Sequence, residues 1–432
     1  MHQINSAPVT DTSARYRVIV ITLCALIALI DGMDTQSIGV VAPSIAQAWH
    51  TPPAEFGPVF GGGLLAGTFG AFLFGMVADR RGRKPALIAA TLIFAVCSVA
   101  TIWAGSMREL LVARIATGIG LGGALPIIIS ITSECAPVRT RTRIVALMYC
   151  GFPLGSVLGG VATALLVPIY GWQSIFLLGG LLPLLLTPLL VVFVPESVQY
   201  LRHQGRHDEA ERVVRRLGVS SDQEHPAAAQ QTAVRAPFAD LFAPNRIVPT
   251  FLIWTTLFLS LLLTVFLVNW IPLIAHASGL ELRQAVLAVA ALNVGGIVGG
   301  FTIGRLCDRM RSPRPVAIAY AVGAVAVAAL GVWSRSATGL LATALVVGVS
   351  AVGAQMSAIA LSSRLYPSSI RSTGVGYAFG VGRIGAVVGP LVGGLLVGAG
   401  FTPTSLFLIA GVVAAAAALS SAAIRPSMLL DG

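Results

Sequence analysis

Charge is what this sequence has least of. Only 10% of its 432 residues are charged, against about a quarter in soluble globular domains. With 56% hydrophobic residues and a mean hydropathy of +0.86, an ordinary soluble domain is excluded. Lysine is nearly absent too: Lys84 stands alone beside the arginines. The cysteines, Cys24, Cys97, Cys135, Cys150 and Cys307, have no metal-ligand spacing and are expected as free thiols. His203 and His207 stand at i and i+4, but Gly205 lies between them, no third ligand is near and there is no H-E-x-x-H. No metal site is expected. No nucleophile, base or metal cluster is assembled, which argues against an enzyme and against a cofactor. The termini are too short for an added cytoplasmic domain of the kind a ligand sensor carries. No cleavable signal peptide is evident, because the first apolar run is long and contains two aspartates.

What is present is a series of apolar runs. A bilayer core needs about 20 apolar residues per helix. On that measure twelve spans are predicted, at 18–42, 56–78, 85–105, 109–133, 144–168, 173–194, 247–275, 285–306, 315–334, 338–363, 373–397 and 403–424. The net charge of +11 sits in alternate short loops. Arg80, Arg81, Arg83 and Lys84 follow span 2. Arg139, Arg141 and Arg143 follow span 4. Arg309, Arg311 and Arg314 follow span 8, and Arg364 and Arg371 follow span 10. The middle loop, 195–246, adds Arg202, Arg206, Arg212, Arg215, Arg216, Arg235 and Arg246, whereas the opposite loops carry only Arg108, Arg283 and Arg335. This asymmetry predicts cytoplasmic termini and a lipid bilayer, rather than nucleic acid, as the surrounding partner. In the middle loop, Arg206 to Leu217 reads as an amphipathic helix ended by Gly218, and 220–237 as a mobile stretch.

The chain repeats itself. Gly75, Asp79 and Arg80 at the end of span 2 return as Gly304, Asp308 and Arg309, 229 positions on. Pro137 and Arg141 return as Pro367 and Arg371, and Gly159 as Gly389, 230 positions on. Duplication of a six-helix unit follows, with bundles at 1–194 and 247–432 joined by 195–246.

Asp31 and Asp34 lie inside span 1, at i and i+3 on one helix face. Ionisable residues in hydrocarbon mark function, because a charge there costs several kcal/mol, about 2.5–3.5 on insertion scales. Two neighbouring buried carboxylates would share a proton rather than both carry charge. Arg383 lies about 15 Å along span 11 at roughly 1.5 Å per residue. Its planar fork suits a carboxylate, so it is expected to bind an anion, or else to pair with Asp31 or Asp34. The string Gly380-x-Gly382-x-x-Gly385 around it is no dinucleotide fingerprint, since no strand precedes it. Arg114 in span 4 is a further intramembrane charge, able to snorkel, hold a span 1 carboxylate or take part in proton transfer; Glu134 ends the same span. Gln36, Tyr149, Asn269, Trp270 and Gln355 are the remaining polar and aromatic candidates for a substrate site. Trp270 also fits an interfacial belt. Asp79 is expected to cap a neighbouring helix and, with Arg80, Arg83, Asp308 and Arg309, to latch two bundles.

The loop Gly75-Met76-Val77-Ala78-Asp79-Arg80-Arg81-Gly82-Arg83-Lys84 resembles the signature loop of the major facilitator superfamily, and Arg114-x-x-x-Gly118 matches its span 4 element. Together with Asp31-Gly32-x-Asp34, Trp270-x-Pro272, Tyr366-Pro367-x-x-x-Arg371 and Gly382-Arg383-x-Gly385, the chain resembles the aromatic acid:proton symporters of that superfamily. The resemblance implies an all-α fold of twelve transmembrane helices in two parallel six-helix repeats. It implies a monomeric transport unit in the cell inner membrane that imports benzoate, hydroxybenzoate or hydroxyphenylpropionate-type acids. Asp31 and Asp34 would then serve the proton, Arg383 the substrate, and Asp79, Arg80 and Arg83 the gate. The proton gradient would take the place of a cofactor. Gly151-Phe152-Pro153-Leu154-Gly155 in span 5 resembles the glycine-proline element of drug/proton antiporters, which keeps that function as the alternative.

Overall fold

A computed structural model describes residues 11–137, 140–218, 238–243, 246–310, 312–367 and 370–429. Arg139, Arg235, Arg311 and the stretch 220–237 lie outside the described residues, as does the side chain of Arg371. Among the described residues every regular element is helical. Twelve helices among the described residues are long and apolar enough to cross a bilayer. Spans 1 to 6 are Ser13–Trp49, Pro53–Arg81, Arg83–Trp103, Met107–Cys135, Arg143–Tyr170 and Gln173–Phe193. Spans 7 to 12 are Ile247–Ala277, Leu282–Met310, Arg314–Trp333, Ala337–Ser362, Thr373–Gly398 and Pro403–Ala422. The expected runs find their helices, with ends moved by several residues at most. The largest change is in span 1, where the helix continues beyond the apolar run at both ends.

Two spans are interrupted, each for a local reason. Span 5 breaks at Cys150, between Arg141–Tyr149 and Gly151–Tyr170. Pro153 has no N–H for the Tyr149 carbonyl, and its ring crowds that oxygen. Span 10 contains a π turn at Gly348–Val352, between Ala337–Val347 and Gly353–Ser362. Such turns often sit near functional groups, and Gln355 follows this one within a turn.

The repeat is visible in the packing. Gly155 of span 5 lies against the backbone of Leu29 in span 1, and Gly385 of span 11 against that of Phe258 in span 7. Gly70 of span 2 meets Ile119 of span 4, and Gly299 of span 8 meets Val349 of span 10. Each second contact lies 229 or 230 positions after the first. Glycine is required at these crossings because a Cβ would run into the facing backbone. Without a hydrophobic driving force between helices in lipid, such close approach supplies the packing energy.

Contacts divide the chain into two compact units. The first comprises 1–35, 63–159 and 173–229, and the second 36–62, 160–172 and 230–432. The boundaries differ from the expected halves because the ends of spans 1, 2 and 5 remote from the arginine-rich loops pack with second-half helices. Gly39 abuts Asn269, Gly57 abuts Gly394, and Gly61 abuts the Leu391 side chain. Val40, Ala164 and Val286 form a small buried cluster there. Trp49 meets Trp172 edge-on at 5.6 Å.

The described part of the middle loop up to residue 218 belongs to the first unit, and 238–243 to the second. The former holds the expected amphipathic helix, His207–Leu217, which Gly218 ends with φ 60. A further short helix, Val198–His203, precedes it. Leu217 joins the core at the base of span 1, and the Arg216 guanidinium lies over the Tyr16 ring at 4.2 Å.

Candidate functional site

In the first unit the two aspartates of span 1 part company. Asp31 and Asp34 are both buried, at 2% and 1% exposure. The Thr35 hydroxyl donates to Asp31 Oδ1 at 3.0 Å, a contact within span 1. Asp34 is engaged by other helices. Arg114 of span 4, itself 4% exposed, donates from one nitrogen to Asp34 Oδ2 at 3.0 Å and from another to the Asp34 carbonyl at 3.2 Å. The Ser98 hydroxyl of span 3 lies 2.8 Å from Asp34 Oδ1 and 3.1 Å from the Phe176 carbonyl of span 6. The Phe176 ring stands 5.6 Å from the Arg114 guanidinium carbon. Gly179 completes the cradle, because a Cβ there would stand 2.9 Å from Asp34 Oδ1. Arg114 therefore does not snorkel; it holds a span 1 carboxylate, one of the roles its position allowed.

A buried ion pair is not in itself a stabilising device. Desolvation offsets most of the attraction, and removing one partner typically costs about 3–5 kcal/mol. The arrangement matters because Asp34 has opposite charge on one oxygen and a neutral hydroxyl on the other.

In the second unit, Gln36 and Asn293 form a reciprocal amide pair, at 3.0 Å and 3.4 Å. Asn293 also donates to the Val289 carbonyl of its own helix at 3.0 Å. The Thr264 hydroxyl donates to Gln355 Oε1 at 2.5 Å. Asn269 donates to the Val265 carbonyl at 2.8 Å while its oxygen faces Gly39. Arg383 is half-buried in span 11, with its guanidinium carbon 5.7 Å from the Phe379 ring one turn earlier. The salt bridge of Asp34 goes to Arg114, so Arg383 is not needed to neutralise it.

Two aromatic candidates are placed differently from expectation. Trp270 has 0% exposure, packed edge-on against Phe60 at 5.6 Å, stacked on Phe266 at 6.4 Å, and pressed on Gly393. It belongs to no interfacial belt, and in this conformation its ring is occupied by packing. Tyr149 is exposed and stacks on Phe152 at 6.1 Å beside the break in span 5.

The expected gating residues also divide. Asp79, Arg80 and Arg309 are exposed. The helix cap assigned to Asp79 is made by Glu196 instead, which accepts from the backbone N–H groups of Arg83 at 2.8 Å and Lys84 at 3.2 Å, at the start of span 3. Gly82, with φ 101, leaves room for that carboxylate; its positive φ disfavours any side chain. Glu134 is no isolated intramembrane charge. It pairs with Arg83 and accepts from Ser197 at 3.0 Å, which ties spans 3 and 4 to the chain after span 6. In the second unit Asp308 pairs with Arg364 at 3.9 Å. Glu134 and Arg364 are 230 positions apart, so equivalent positions of the repeat carry opposite charges, although their partners Arg83 and Asp308 are not equivalent.

Ser98, Glu196, Thr264, Asn293 and Phe379 were not singled out by the sequence. Asn293 and Glu196 left a signal, an amide in an apolar span and an acid between Pro195 and Ser197. Among the described residues no cluster of His, Cys, Asp and Glu could hold a metal.

The Major Facilitator Superfamily model matches residues 24–358 and 304–427. The chain is 36% identical to the gallate transporter of Pseudomonas putida over 94% of its own length and 91% of that protein's. It is 37% identical to the 3-(3-hydroxy-phenyl)propionate transporter of Escherichia coli, over 90% of this chain and 89% of that one. An inward open structure of the xylose transporter XylE from E. coli superposes with a TM-score of 0.73 at 19% identity, covering 93% of this chain and 95% of that one, which shows the fold alone. The chain belongs to the Major Facilitator Superfamily and, within it, to the aromatic acid:proton symporter family.

Proposed function

We propose that the protein is a secondary transporter that imports hydroxylated aromatic carboxylates with protons, by alternating access, as a monomer in the cell inner membrane with both termini cytoplasmic. The observation that carries this reading is the buried Asp34–Arg114 pair, set in the fold of a carrier family whose relatives include gallate and hydroxyphenylpropionate transporters. A proton on Asp34 weakens its hold on Arg114 and loosens span 1 from span 4. Arg383 offers a planar donor fork to the substrate carboxylate, with Phe379 beside it for the ring. Gln36, Asn293, Thr264 and Gln355 offer amide and hydroxyl partners for ring hydroxyls.

The test is uptake of radiolabelled gallate and hydroxyphenylpropionates into cells producing the protein, with and without a proton uncoupler. Accumulation that collapses on uncoupling is expected. Accumulation indifferent to the uncoupler, or export, would overturn the symport reading.

A further inference from the structure

One hydroxyl in the first unit has two acceptors and a single proton. Ser98 Oγ is 2.8 Å from Asp34 Oδ1 and 3.1 Å from the Phe176 carbonyl, and Ser98 is fully buried. A hydroxyl donates once and accepts through its lone pairs. While Asp34 is ionised, the Ser98 proton belongs to the carboxylate, in a charge-assisted bond. Once Oδ1 carries a proton, that new O–H donates to Ser98 Oγ, and Ser98 turns its own proton to the Phe176 carbonyl. Both states are then satisfied by rotation of one hydroxyl, with no movement of the backbone.

We propose that Ser98 is a positioning residue for proton coupling, directing the proton to Oδ1 of Asp34 and reversing its own hydrogen bond when the proton arrives. The inference rests on the reading of Asp34 as a proton site. The step adds one proton to the carboxylate; no other covalent bond forms or breaks. The geometry favours Oδ1 over Oδ2. Arg114 donates to Oδ2 at 3.0 Å, and an O–H there would point at a cation. On the other side the carboxylate meets the neutral Ser98 from span 3 and Gly179 from span 6. Arg114 from span 4 is a charged group facing the carboxylate, and Asp31 lies one turn back on span 1. Gly179 is part of the device, because a Cβ there would fall within 2.9 Å of Oδ1 and 3.3 Å of Ser98 Oγ.

The inference is distinct from a packing role. Removing the hydroxyl, as alanine does, would leave the packing of spans 1, 3 and 6 nearly intact, but both protonation states would lose a partner. The ionised state would lose more, since a charge-assisted hydrogen bond is about twice as strong as a neutral one.

The experiment is infrared difference spectroscopy of the purified full-length protein in lipid, following the C=O band of protonated carboxyls as pH is changed. No transported solute is needed. The band lost in Asp34→Asn identifies the group. In Ser98→Ala its midpoint is expected to move toward alkaline pH by about fivefold to tenfold in proton concentration. Ser98→Thr, which restores a hydroxyl, is expected to bring the midpoint back. An Asp34-dependent band that titrates unchanged in Ser98→Ala would overturn the inference and leave Asp34 as the proton site. The absence of any Asp34-dependent titration would overturn both. Thermal unfolding of Ser98→Ala and Ser98→Thr, expected to match the parent within a few degrees, separates lost coupling from lost fold.

Discussion

Among individual residues, the sharpest expectations concern the two arginines. Arg383→Lys keeps the charge but loses the planar two-pronged donor, so the KM for an aromatic acid is expected to rise by about tenfold or more, with Arg383→Ala more severe. Uptake kinetics on matched amounts of membrane protein check it; an unchanged KM in Arg383→Lys would remove Arg383 from the substrate site. Arg114 answers to a different measurement. Arg114→Ala takes the Arg114 counter-charge from the buried Asp34 and is expected to destabilise the first unit by about 3–5 kcal/mol. Adding Asp34→Asn should recover most of that stability in detergent unfolding without recovering coupled uptake. That dissociation of stability from coupling would identify the pair as functional.

These residues also show where the sequence is legible. Asp31, Asp34, Arg114 and Arg383 announce themselves, because charge in an apolar helix is costly wherever it points. Ser98 does not. Thr101, Thr117 and Ser357 each return their hydroxyl to the carbonyl four residues back, and this is how most helix hydroxyls are spent. Nothing in the one-dimensional pattern separates Ser98 from them; the difference lies in which helix faces it. Glu196 and Asp79 make the same point, since either acid could cap span 3 until the fold brings one of them there.

For single elements, span boundaries were legible because about 20 apolar residues are a strong signal. The break at Cys150 follows from Pro153, whereas the π turn in span 10 has no such local mark. The helix His207–Leu217 carries a pH dependence of known sign. Arg206, bonded to Glu209 at 2.6 and 2.8 Å, holds that carboxyl below the usual range. A depressed carboxyl stabilises the helix above its unfolded value and loses that contribution as pH falls through the folded one. Mobility of a nitroxide placed at position 212 is expected to stay constant through neutral pH and to increase only in acid, below the ordinary glutamate range. In Glu209→Gln the acid step should be reduced.

For the whole molecule, the repeat was legible from a constant offset, but the extent of each compact unit was not. The offset places helices in order and says nothing about which ends are packed together in a given conformation. The glycine contact at Gly57 and Gly394 decides that for spans 2 and 11. Gly57→Val puts two methyl groups into a facing backbone and is expected to hold this end open. A cysteine introduced at Val40, 2% exposed, should then react with a membrane-impermeant maleimide, and should be protected when Gly57 is intact. Equal labelling in both backgrounds would show that the contact does not govern closure.

The reciprocal amides of Gln36 and Asn293 set a rule for selectivity. Two groups that satisfy one another are a built-in competitor, and a solute that reaches them displaces a bond the protein already has. Binding there is an exchange, so affinity is modest by construction and release needs no added force. A ring hydroxyl, able to donate and accept at once, can replace the lost amide partner; a bare ring cannot. Asn293→Leu should therefore narrow the gap in KM between hydroxylated and unsubstituted aromatic acids, by weakening the first far more than the second.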